Sequence, residues 1–374
     1  MKLKFALASG EFVIQLLLSI QLLAQTSPAL TGISGVYEVV LAVDDMEYAQ
    51  AYWKEFGFRV VDTAAIDADR AFHLYGVNRV LHSHRLQNGD IDSHGLLRLI
   101  RWDGASATDD GTTSKRTIDN RYAAMKTQDI YRLYDVYSVL KDQGEKWYPT
   151  EPKSEDLFGL NDGSRNFFNR PILIRKNAVY GNNVNHVFFQ QYGYEIPGYG
   201  TIHQDTPLKT SEFTHHEFVL KASSMEVVDY VSEVLGFHAE REEIVSDTRL
   251  KGSLTNLMEK TGHMYIYKGF VSPNNICGKL KFFIPLDEKS EWNIHSRMGE
   301  LGNTMHTLFA ADIVNIRNLT DNYPQLIASP IQKNEFGEQS FTLKDPVGIL
   351  WQIIEKKDTL NKPETIVRFE FTNN

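Results

Sequence analysis

The chain has 374 residues, 42% of them hydrophobic and 11% aromatic, which is enough for about two packed domains and argues against a disordered polymer. Its net charge of -9 offers no cationic surface of the kind a phosphate backbone requires, so no nucleic-acid partner is expected. The one cysteine, Cys277, can close no intramolecular disulfide, and no cysteine cluster exists to hold a structural zinc or an iron–sulfur centre.

Lys2 and Lys4, the apolar run "FVIQLLLSIQLLA" from Phe12 to Ala24 and the polar exit "QTSPAL" read as a secretory leader over residues 1–24. The run is shorter than the roughly 20 apolar residues of a helical span. An exported protein, periplasmic or extracellular, with no membrane span after leader removal is the expectation. Glu11 beside the run and the lack of a clean small-x-small site before Gln25 leave an uncleaved anchor or a misassigned start as the alternatives.

"VYEVVLAVDDMEYAQAYWKEFGF" from Val36 returns as "HHEFVLKASSMEVVDYVSEVLGF" from His215. Glu38 and Glu217, Met46 and Met225, Gly57 and Gly236, and Phe58 and Phe237 are all separated by the same 179 positions, which identifies an internal duplication. In each copy a β-branched strand leads to a cap (Asp44 and Asp45, or Ser223 and Ser224). A helix with apolar spacing follows, then a glycine stop and a new strand. A fainter unit of the same shape follows each copy, at "AAMKTQDIYRLYDVYSVLKDQGEKW" from Ala123 and "TLFAADIVNIRNLTDNYPQL" from Thr307. Strand-like runs such as "GLLRLIRW", "NHVFFQQY", "KLKFFIPL" and "GILWQIIE" complete four βαβββ modules. The expected organisation is an α+β protein with domains at 33–195 and 213–357, two modules in each, a Gly- and Pro-rich linker at 196–212, and a tail at 358–374.

The four modules, the segment "DDMEYAQAYWKEFGF" and the terminal "LKDPVGILWQIIEK" resemble the vicinal oxygen chelate superfamily of glyoxalases, extradiol dioxygenases and bleomycin-resistance proteins. The resemblance covers residues 33 to 357. It implies two domains of paired modules, each closing a sheet around a pocket for a small molecule. It also implies a divalent metal (Fe, Mn, Zn or Ni) held by His from first strands and Glu from last strands. This sequence departs from that ligand pattern. The first-strand positions carry Glu38, Tyr122, Glu217 and Met305, the final-strand Glu position carries Gln352, and the last strand of the second module offers Asn185 or His186 according to register.

Strand alternation places Glu38 with Val40 and Ala42 on the pocket side if Val39, Leu41 and Val43 pack under the helix. His215 and Glu217 share a face that His216 does not. His306 falls one residue off the ligand register and reads as structural. His82 and His84, at i, i+2, permit metal binding or form a polar strand face. The expected site therefore joins Glu38 and His186 as catalytic and metal-holding groups across one pocket, with Tyr122, Asn185, His215, Glu217 and Gln352 as ligand contacts. Two functions follow from the resemblance: a metal-dependent lyase, isomerase or dioxygenase with an atypical ligand set, or a metal-free small-molecule binding protein of the bleomycin-resistance type. There is no G-x-S-x-G elbow, Walker loop, H-E-x-x-H or dinucleotide fingerprint to suggest another chemistry.

Overall fold

A computed structural model describes residues 32–105, 121–156, 173–181, 184–196, 199–246, 264–272, 278–286 and 297–356. The expected leader and the expected tail lie outside the described residues. The first module runs β1 (Ile33–Ala42), α1 (Met46–Glu55), β2 (Phe58–Ile66), α2 (Ala68–Tyr75), β3 (Leu81–Asn88) and β4 (Leu96–Trp102). The second comprises β5 (Arg121–Thr127), α3 (Ile130–Asp142), β6 (Trp147–Pro149), β7 (Lys153–Asp156), β8 (Leu173–Gly181) and β9 (Val184–Tyr192). In the third are β10 (Thr210–Val219), a 3-10 turn (Met225–Val228), α4 (Tyr230–Glu233), β11 (His238–Ser246), β12 (Met264–Val271) and β13 (Lys279–Pro285). The fourth holds β14 (Gly302–Ala310), α5 (Ile313–Thr320), β15 (Ile327–Ala328), β16 (Gln332–Lys333), β17 (Gln339–Lys344) and β18 (Leu350–Glu355).

Local chemistry explains the repeat. Asp45 caps α1 by accepting from the Tyr48 amide at 2.9 Å, Met46, Ala49 and Trp53 bury one stripe, and Gly57 ends the helix at φ +91°. In the second copy the same stripe, Met225, Val228 and Val231, is buried by a 3-10 turn and one turn of α4. Valines at 227, 228 and 231 lose side-chain freedom in a helix and weaken it there. The Asp-Pro-x-Gly turn is held by Asp345, whose Oδ1 accepts from the Val347 and Ile349 amides at 3.1 and 2.7 Å while Gly348 adopts φ +90°. Asp345 Oδ2 accepts from Tyr230, whose hydroxyl in turn accepts from the Trp351 indole, which ties this turn to the third module.

Modules do not pair within the two sequence halves. One nine-stranded sheet joins the first module to the fourth through antiparallel β1 and β14; the other joins the second to the third through β5 and β10. The expected domains at 33–195 and 213–357 are thus corrected: each sheet draws one module from each half. The repeat encodes the module, whereas partner choice is settled by contacts between first strands that look alike in sequence. Thr210, Ser211 and Glu212, expected in the linker, begin β10 and are buried.

The faces of the two sheets that carry α1, α3, α4 and α5 share one apolar core, in which Val39, Leu41 and Leu308 of the first sheet and Trp53 of α1 meet Phe188, Phe213, Phe218 and Phe282 of the second sheet. We call these the core faces and their reverses the outer faces. Among the described residues three histidines lie in this core: His186 under Trp53 and Trp147, and His216 of β10 against His306 of β14 with ring centroids 4.3 Å apart. Burial pushes His186 and His216 down to about 3 and His306 well below the ordinary histidine range.

The folded protein therefore binds fewer protons at these rings than the unfolded chain between pH ~6.5 and ~3, so stability is lost as pH falls through that window. Each ring contributes up to about 1.4 kcal/mol per pH unit. Asp345, raised to about 6 chiefly by burial, offsets one of them below that pH. Urea midpoints should stay level above neutrality and drop steeply below pH ~6; a level midpoint down to pH ~4.5 would contradict the assignment.

Gly95 links the sheets by donating to Val36 O at 3.0 Å and accepting from the Phe213 amide at 3.1 Å, at φ +66°. A Cβ there would lie 2.4 Å from Phe213 O. Gly95→Ala should cost about 2–4 kcal/mol in denaturant unfolding, combining left-handed strain with that clash; a loss below about 0.5 kcal/mol would show that the junction yields.

Candidate functional site

Each sheet carries a buried glutamate at the middle of its outer face. Glu38 lies on the side of β1 that alternation predicts, with Val40 and Ala42, and is fully buried. Arg85 of β3 donates through Nε to one of its oxygens; Arg98 of β4 donates through Nη2 to the other, which also accepts from Thr307 Oγ1 at 3.1 Å. The Nη1 of Arg98 reaches Gln352 Oε1 at 2.8 Å and Glu335 Oε1 at 3.2 Å. Tyr75 and Ser83 donate to Glu335, and Gln352 Nε2 donates to the Tyr75 hydroxyl at 3.1 Å. Arg85 closes the network with a bidentate pair to Glu338 at 3.0 and 2.8 Å. The turn between β16 and β17 seals it by placing the Phe336 ring 4.2 Å from the Arg85 guanidinium and 5.3 Å from that of Arg98. Burial raises the Glu38 carboxyl, but the two guanidinium groups outweigh it and hold the group below its ordinary range.

The second sheet repeats the theme with different partners. Glu217, directly opposite Tyr122 in the β10–β5 ladder, accepts from the Lys281 ammonium of β13 at 2.8 Å through Oε1. His215 lies on the same face, its Nε2 3.0 Å from Lys281 Nζ and its Nδ1 2.7 Å from the Tyr199 hydroxyl. Burial is the largest influence on all three. It pushes His215 down to about 3, helped by Lys281. Against the same burial, Lys281 and His215 hold Glu217 ionised well below the carboxylate range, and Glu217 keeps Lys281 charged. Around them stand Tyr122, Tyr180, Tyr265, Tyr267 and Phe283. Glu217 Oε2 is buried with no hydrogen-bond partner. In the first sheet both oxygens of Glu38 are engaged, whereas here one carboxylate oxygen retains acceptor capacity.

The predicted residues divide accordingly. Glu38 and Gln352 meet through Arg98 in the first sheet, while Tyr122, Asn185, His215 and Glu217 share the outer face of the second. Glu38 and His186 are not one site. They lie in different sheets, and His186 faces the core, where its Nε2 is 3.1 Å from the Tyr52 hydroxyl. Asn185 takes the outer-face register and His186 the core, so a one-residue choice of parity decided the matter. His306 faces the core, packed against His216. His82 pairs with Asp103 and His84 with Gln50 on the core-side parity of β3, away from Arg85.

Sequence reasoning passed over Arg85, Arg98 and Lys281. The signal was present: "GLLRLIRW" and "KLKFFIPL" place Arg98 and Lys281 inside apolar strands, where an unpaired charge is costly.

These donors do not fit a divalent metal. In the first sheet the converging positions hold Glu38, Met305, Gln352 and the Arg98 guanidinium, and in the second Lys281 occupies the near oxygen of Glu217. Among the described residues, no group of three His, Cys, Asp or Glu side chains could hold a metal ion.

No protein-family model matches the chain, and no curated protein matches its sequence. Solved structures do match. A point variant of glyoxalase I from Zea mays is 13% identical with a TM-score of 0.52, covering 88% of this chain and 96% of that one. Unaltered glyoxalase I from Zea mays, also 13% identical, gives a TM-score of 0.50 over 86% of this chain and 92% of its own. Identity this low speaks for fold alone. Four βαβββ modules, first strands paired at the centre of two sheets and this likeness over nearly the whole chain give one conclusion: the protein has the glyoxalase-like vicinal oxygen chelate fold.

Proposed function

We propose that the protein binds a small hydroxylated molecule on the outer face of its second sheet, without a metal. The observation that carries this reading is that each first-strand glutamate is already neutralised by cations of the chain itself: Arg85 and Arg98 for Glu38, and Lys281 for Glu217. A metal-dependent lyase, isomerase or dioxygenase is the reading that this donor set opposes, because a divalent ion at either glutamate would stand beside a fixed positive charge.

The second sheet is preferred over the first because Glu217 Oε2 is buried, ionised and without a donor. A ligand hydroxyl can supply that donor while its body lies among the tyrosine rings. Lys281 keeps the carboxylate charged and fixes its orientation, and Tyr199 holds His215 in place behind it. These groups position a ligand. They also set a hydrogen-bond acceptor against its hydroxyl.

Two measurements test the reading. Protein purified without chelator should contain far less than one equivalent of Mn, Fe, Ni or Zn, and adding these ions should leave its melting temperature unchanged. One equivalent of metal that disappears in Glu217→Ala would overturn the metal-free assignment. A thermal-shift screen of small phenols and hydroxy acids should give ligands whose affinity falls about 10- to 100-fold in Glu217→Gln, the loss expected for a hydrogen bond to a charged acceptor. Ligands bound equally by that variant would place the site elsewhere.

A further inference from the structure

A cleft lies on the other side of the second sheet, at the start of α3. Tyr131, Arg132, Arg175, Gln190, Leu208 and Lys209 line it. Arg175 and Gln190 face each other across the β8–β9 ladder. Alternation puts Arg175 on the opposite face of β8 from Lys176, whose charge acts on His215, so this cleft is distinct from the face carrying Glu217.

Its charge runs against that of the molecule. Three cations converge there although the chain carries a net charge of -9. Among the described residues none of the three forms an ion pair with a carboxylate, although elsewhere buried or half-buried cations such as Lys126 and Lys268 do. Asp129 is the one acidic residue in the lining, and its Oδ1 is engaged as the cap of α3, accepting from the Arg132 amide at 3.2 Å. That cap already serves the helix end, so an incoming anion would be held by side chains.

The cations are also positioned. Arg175 donates from Nε to Ser154 Oγ at 3.3 Å, and its guanidinium carbon lies 5.7 Å from the centre of the Tyr131 ring and 5.3 Å from that of Tyr192. The Nη groups remain for a ligand. Lys209 is held by its backbone, its amide donating to Thr206 O at 3.3 Å and its carbonyl accepting from the Gln128 amide at 3.1 Å. Gln190 Nε2 is committed to Gln128 O at 2.6 Å, which braces the wall between them.

We propose that this cleft binds a phosphate-type oxyanion, either the free ion or the phosphate of a small phosphomonoester. Two guanidinium groups and an ammonium can donate at once to the several oxygens of a tetrahedral dianion, and the exposed Tyr131 ring offers a surface for an attached aromatic group.

The test titrates the full chain with inorganic phosphate, and separately with phenyl phosphate, against chloride at matched ionic strength, with binding followed by calorimetry. Saturable phosphate binding is expected, weakened about tenfold or more in the double variant Arg175→Gln, Lys209→Gln. Both positions are partly exposed, so that variant should melt with the parent. Tighter binding of phenyl phosphate would identify a phosphomonoester as the ligand, and equal binding the free ion. A phosphate response matched by chloride, or an unchanged affinity in the double variant, would overturn the proposal.

Discussion

Burial of Glu38 between two arginines is the constraint around which the first sheet is organised. A carboxylate with no exposure is tolerable only if its charge and lone pairs are met, and Arg85, Arg98 and Thr307 meet them from three different strands. Those cations then need partners of their own. Arg98 requires Gln352 and Glu335, Arg85 requires Glu338, and both acidic residues come from the fourth module. The ion pairs thus make the first module dependent on the fourth, in agreement with the β1–β14 pairing that joins them. Phe336 lies over the assembly, its ring against both guanidinium groups.

The same scaffold carries a second glutamate at the repeat position with a lighter set of partners. Glu217 has Lys281 and His215, and one oxygen left over. The repeat position carries a glutamate in both sheets, and the surrounding strands give two outcomes: a carboxylate with both oxygens engaged in one sheet and an acceptor with spare capacity in the other. In both, a side-chain cation of the last strand stands where the resembled fold gathers metal donors. This is why likeness of fold does not carry activity with it.

Much of this was legible in the sequence. The 179-residue offset matches β1 and α1 to β10 and the helical turns that follow it, alternation assigns Glu38 and Glu217 to the outer faces, and the Asp-Pro-x-Gly turn marks the last strand. The pairing of modules was not legible, because four similar first strands carry no local signal for which of them meet across an antiparallel ladder. His186 was misplaced for a related reason: one residue of register separates it from Asn185, and in a strand that step exchanges core for outer face. Arg98 and Lys281 were visible as charges inside apolar runs, and asking what neutralises each of them would have led to the glutamates.

A double-mutant cycle on Glu38 and Arg98, read by denaturant unfolding, tests the central claim most directly. Each single change to alanine strands a buried charge and should cost about 3–5 kcal/mol. The double change removes both charges, so its cost should fall short of the sum of the singles by about 2 kcal/mol or more. Costs that add to within about 0.5 kcal/mol would mean that Glu38 does not depend on the arginine, and the account of an internally neutralised site would fail.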